Sequence, residues 1–136
     1  MTTTYPISAA YTDGQVLSAA NVNQIAGGVN DLAALQINAQ TGNYTLVIGD
    51  AAKLVTMTAS TGTLTLTVPQ DSSVNFAIGT QVLIYQGGTI QVSVTGTGSA
   101  NVRSQGTKTK LNGQYSVACL TKIAANEWVL FGNVTT

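Results

Sequence analysis

Residues 62–68 read GTLTLTV, and this stretch decides the fold class. Leu64, Leu66 and Val68 alternate with Thr63, Thr65 and Thr67. A period of two puts alternate side chains on opposite faces of a strand. Pro69 ends the run, because proline has no N–H to give to a sheet ladder. The pattern continues outward in both directions. Asn43 to Ile48 sets Tyr44, Leu46 and Ile48 on one face, and Lys53 to Ala59 follows after a Gly49-Asp50 turn. Gln81 to Gln86, QVLIYQ, is apolar on both faces and reads as a central strand. Thr89 to Thr95 alternates again, with Gly87-Gly88 before it as a tight turn. Asn101 to Ser104, a lysine-bearing strand ending at Leu111, Tyr115 to Ile123 and Trp128 to Val134 complete the set. Asn112-Gly113 is the strongest hairpin signal, and Ala-Ala-Asn-Glu turns the chain before Trp128. Short strands at regular spacing predict a mainly β protein, an antiparallel β-sandwich of jelly-roll-like form.

The chain has 136 residues, enough for one domain and an appendage. Charged residues make up 7% and the formal net charge is zero. Globular proteins carry about a quarter charged residues. A surface this poor in charge offers weak protection against self-association, so an assembled chain is expected. Lys53, Arg103, Lys108, Lys110 and Lys122 are too scattered to track phosphates, so no nucleic-acid partner is expected. No apolar run is long enough for a membrane helix, and the N-terminus lacks the pattern of a secretory signal. Cys119, the lone cysteine, lies in an apolar strand and reads as a small buried hydrophobe. Synthesis in a reducing cytoplasm follows.

Before the strands come two other kinds of text. Residues 1–17 read as an extended arm, with Thr2 to Thr4, Pro6 and a Thr12-Asp13-Gly14 turn. Such an arm has no core of its own, and Tyr5, Ile7, Tyr11, Val16 and Leu17 are its candidate anchoring residues. Residues 18–37 read as a helix capped by Ser18. Val22, Ile25, Val29 and Leu32 recur at spacings of a coiled-coil seam, compatible with three strands. Gly27 and Gly28 weaken the helix alone, so it requires packing from outside. Residues 38–136 then form the β-sandwich domain.

The chemistry-bearing residues are sparse. There is no histidine, which removes the usual general base and the commonest zinc ligand. Asp13, Asp31, Asp50, Asp71 and Glu127 lie in or beside turns or the helix, and Asp50 and Asp71 look like turn formers rather than a catalytic pair. No calcium loop occurs, and GTGSAN (96–101) lacks the lysine and following helix of a phosphate loop. An enzyme, a metal and a cofactor are therefore not expected. Trp128 is expected in the core with Tyr115 or Tyr85 rather than as a sugar platform.

Two stretches resemble a family. YTDGQVLSAANVNQIAGGVNDL (11–32) is similar to the opening of tailed-bacteriophage fibre and virion-surface proteins. The run from Ile37 to Val94, continued from Leu111 to Asn133, resembles a β-module of phage tail fibres, head fibres and capsid-decoration proteins. The matching features are Asp50-Ala-x-Lys-Leu-Val55, Thr67-Val-Pro69, the Phe76 to Val82 segment, Gln114-Tyr-Ser116, Lys122-Ile-Ala124 and Trp128-x-Leu-x-Gly132. The resemblance implies a trimeric, non-enzymatic structural protein on the virion surface, made in the host bacterial cytoplasm. The helix runs straight into a single module, and that brevity favours a capsid decoration or head-fibre protein. Its expected partners are two further copies and the major capsid protein or another virion protein. The alternative is a short tail fibre or receptor-binding module reading a host surface glycan through SSVNF (72–76) or GTGSANVRSQG (96–106).

Overall fold

The computed structural model describes Ala19, Ala20, Asn23 and residues 34–136. The chain divides into two units, Met1–Leu35 and Gln36–Thr136. In the first, Ala19, Ala20 and Asn23 are helical. The second is mainly β. It consists of two facing sheets.

The six-stranded sheet holds β1 (Ile37–Gln40), β3 (Leu54–Met57), β5 (Gln81–Gln86), β9 (Val117–Ala124), β10 (Glu127–Gly132) and β7 (Asn101–Arg103), in that spatial order. The five-stranded sheet runs β11 (Val134–Thr135), β8 (Lys110–Leu111), β6 (Val92–Gly96), β4 (Leu64–Val68) and β2 (Tyr44–Thr45). From β1 to β6 the chain alternates strictly between the sheets. β1, β3 and β5 therefore pair in parallel in one sheet, and β2, β4 and β6 pair in parallel in the other. Parallel neighbours need a long crossover, and here each crossover includes a strand of the opposite sheet. This is the winding of a parallel β-helix. Of the later strands, β9 pairs antiparallel with β5 and β10, and β8 antiparallel with β6 and β11, while β7 pairs in parallel with β10.

The sandwich is thus of mixed sheets, and the antiparallel, jelly-roll-like expectation is corrected. Two turn readings explain the difference. Asn112-Gly113 does not close a hairpin, because β8 and β9 belong to different sheets. A two-residue type I′ hairpin turn needs positive φ at both central residues, and neither Asn112 nor Gly113 has it. Gly87-Gly88 likewise carries the chain from one sheet to the other. Among the described residues the one tight hairpin follows Ala124, where Asn126 takes φ 55° and the register shifts between Glu127 and Trp128.

The core lies between the sheets. Leu64, Leu66 and Val68 of β4 are buried while Thr65 and Thr67 are half-buried, as the alternation requires. They meet Val55, Met57, Val82, Ile84, Leu120, Trp128 and Leu130 from the other sheet. Full burial of such side chains stabilises by about 1.5–3 kcal/mol each. Trp128 is buried, as expected, but its aromatic partner is Phe76, edge to face at a centroid distance of 5.3 Å. Tyr115 is 69% exposed instead. Ile48, expected on one strand face with Tyr44 and Leu46, sits instead in a short 3-10 turn and is exposed.

Candidate interaction face

Strand periodicity fixes which side chains face away from the core. In β9, Ala118, Leu120 and Lys122 point inward, so Val117, Cys119, Thr121 and Ile123 lie on the outer face. Residues paired in register share a face. Ile37 pairs with Leu54, Leu54 with Leu83, Leu83 with Cys119 and Cys119 with Phe131. A single apolar row therefore crosses the six-stranded sheet from β1 to β10. A second row, Ala39–Thr56–Tyr85–Val117, lies beside it.

This row is open to solvent at its two ends, with Leu54 and Leu83 half-buried and Cys119 buried between them. Ile37 is 65% exposed and Phe131 51% exposed, with Val117 and Ile123 exposed nearby. Cys119 is buried as the sequence predicts, yet it lies outside the core between the sheets. Its cross-strand neighbours Leu83 and Phe131 flank it. The row carries no charge. At the β7 border of the sheet, Arg103 and Glu127 neutralise each other, with the guanidinium Nη2 donating to Glu127 Oε1 at 3.0 Å. That contact holds the Glu127 carboxyl below its ordinary range and raises the Arg103 guanidinium.

The buried polar residues support the fold at both ends of the chain's winding. Asp50 is buried and accepts hydrogen bonds from Asn38 Nδ2 at 2.7 Å, Tyr44 Oη at 2.8 Å and the Val47 N–H at 2.9 Å. Burial, then the Asp50 carboxylate, raises the Tyr44 phenol above its usual pKa. Asp71 engages Lys122 and Asn126. The two aspartates thus hold separate sets of partners. Asp50 supports its turn, as its sequence context suggests.

The sequence-derived anchoring residues Tyr5, Ile7, Tyr11, Val16 and Leu17 lie outside the described residues, as do the seam residues Val22, Ile25, Val29 and Leu32. The outer row was not anticipated. Its signal was present in QVLIYQ and in VACL of β9, runs apolar on both faces. Such runs report a central strand without saying what covers its second face.

A two-sheeted β module with an uncharged apolar row on its outer face is the class of protein that the fold and this surface define. Comparison with family models, with curated proteins and with solved structures returns no match for this chain.

Proposed function

We propose that the chain is a structural protein of a bacteriophage virion, a trimeric capsid decoration or head-fibre protein. In this reading residues 1–17 bind the head lattice, the helix joins three copies, and the β unit is displayed outward. The motif resemblance along Tyr11–Leu32 and through the β unit supports it. The observation that carries it is the uncharged row Ile37–Leu54–Leu83–Cys119–Phe131. Exposed apolar surface of this kind marks a site of association.

Its occupant is a second copy of this chain. Whatever covers the row must bring no unpaired charge, since burying one costs several kcal/mol. A chain with 7% charged residues supplies such a surface from its own sheet. The role is mechanical, with several copies bridging neighbouring capsid subunits. Deleting residues 1–17 tests the anchor. The truncated chain is expected to keep its β-sheet circular dichroism and lose particle binding. Normal decoration by the truncated chain would remove the arm from the account.

A further inference from the structure

Asn112 and Gly113 follow β8 and carry the chain toward β9 in the other sheet. Both lie outside the strands, and Asn112 is exposed. The chain is pinned on either side of the pair. Asn112 N–H donates to Asn133 O at 3.1 Å, and Gly113 O accepts from Ser116 N–H at 3.1 Å. The peptide group between these anchors is unbonded. Asn112 O accepts no hydrogen bond and Gly113 N–H donates none among the described residues.

The Asn112 side chain is equally unengaged, its carboxamide making no hydrogen bond among the described residues. Open space surrounds Gly113 where a Cβ would stand. An amide nitrogen and a carboxamide carbon, neither held elsewhere, are thus joined by bonds that can close a five-membered ring. Reaction within one residue pair replaces an encounter from solution, and asparagine is a thermolabile residue.

The other asparagines of the β unit lack this combination. Asn38 Nδ2 donates to Asp50 Oδ1 at 2.7 Å, and Asn43 Oδ1 accepts from Thr65 N–H at 2.8 Å. Asn75 Oδ1 accepts from Lys122 Nζ at 3.4 Å. Asn101 Nδ2 donates to Glu127 Oε1 at 2.9 Å, and Asn126 Oδ1 accepts from Asp71 N–H at 2.8 Å. The Asn133 side chain makes no hydrogen bond among the described residues, but the β-branched Val134 of β11 follows it. Each of these six precedes a residue whose side chain crowds the amide nitrogen, whereas Asn112 precedes glycine.

We propose that Asn112 is a site of spontaneous deamidation through a succinimide. A solvent hydroxide takes the Gly113 amide proton, and the nitrogen attacks Asn112 Cγ. The new N–Cγ bond forms, the Cγ–Nδ2 bond breaks, and the side-chain nitrogen leaves as ammonia. Water then opens the ring. Cleavage at Cγ gives aspartate, and cleavage at the main-chain carbonyl gives isoaspartate. Either product adds a carboxylate to a chain whose formal net charge is zero. The isoaspartate form also adds a methylene to the main chain between the Asn133 and Ser116 anchors. The inference needs no part of the virion reading.

The test is ageing of the full chain at mildly alkaline pH, followed by tryptic digestion and mass spectrometry. Trypsin cuts after Lys110 and Lys122, and the peptide 111–122 holds Asn112 as its only asparagine. Asn112 is expected to convert at least about tenfold faster than any other asparagine in residues 34–136. Two separable isomers, aspartate and isoaspartate, are expected as products. The folded chain should react at a rate within about tenfold of the free synthetic peptide 111–122, since the fold leaves the pair open.

Gly113→Ala meets open space and no positive φ, so it should fold as the parent does and slow the conversion about tenfold or more. The proposal is overturned if Asn112 survives as long as the other asparagines, if the fold slows it beyond that margin, or if aspartate forms without its isomer. Should Gly113→Ala lose its fold, Asn112→Gln takes its place, because the longer side chain needs a larger ring. Conversion at the parent rate in either folded variant overturns the proposal.

Discussion

Lys122 Nζ lies 2.7 Å from Asp71 Oδ1 while the lysine side chain is only 1% exposed. The ammonium also donates to Phe76 O at 2.6 Å and to Asn75 Oδ1 at 3.4 Å. Asp71 accepts in addition from Asn126 N–H, whose side chain accepts from Asp71 N–H. One buried charge thus ties the β4–β5 connection to the β9–β10 hairpin, beside the Phe76–Trp128 pair.

Removing one member of such a pair leaves the other uncompensated. Asp71→Asn is expected to cost about 3 kcal/mol in urea unfolding, because a buried ammonium loses its counter-charge. Lys122→Met should cost less, since Asp71 keeps its bonds to Asn126 and some access to water. Equal losses in the two variants would contradict this account.

The same contact predicts acid sensitivity. The Lys122 hydrogen bond holds the Asp71 carboxyl below its ordinary value of 3.8. A depressed carboxylate pKa contributes stability above the unfolded-state value, and that contribution is lost as pH falls through the folded-state value. Thermal melts from pH 7 downward should show this loss begin near the ordinary carboxylate range and deepen below it. Asp71→Asn should flatten that part of the profile. An unchanged acid slope in this variant would place the sensitivity elsewhere.

Two glycine substitutions separate close packing from chain freedom. Gly88→Ala should destabilise by about 1–3 kcal/mol, because its Cβ meets the Ala59 backbone. Gly49→Ala has open space around it and should stay within about 0.5 kcal/mol of the parent. Chemical denaturation of both variants checks the difference.

How much of this was legible in the sequence follows from what alternation encodes. GTLTLTV reported β4 and its inward Leu64, Leu66 and Val68 correctly, because one face buried and one half-exposed is a local property. It could not report the partner of that strand. A period of two is the same whether the next strand lies beside it or in the opposite sheet, so the parallel winding was not visible. Asn112-Gly113 carried hairpin composition without hairpin dihedrals, and the positive φ fell on Tyr115 instead. The outer row was legible only in part. Leu83 and Cys119 stood in apolar runs, but their alignment with Ile37 and Phe131 arises from register across strands distant in sequence.

That row gives a prediction of its own. Phe131→Glu puts a charge on the open apolar face at a side chain already half exposed. Folding should be little affected, and sedimentation mass should fall below that of the parent assembly. An unchanged mass in a well-folded variant would remove the row from the assembly.

The central claim is the place of the chain in a phage particle. Gold-labelled antibody against the β unit, applied to purified intact particles and imaged by electron microscopy, tests it most directly. The account predicts label distributed over the head at regular lattice positions. Label confined to the tail, or particles carrying none of the chain, would contradict it.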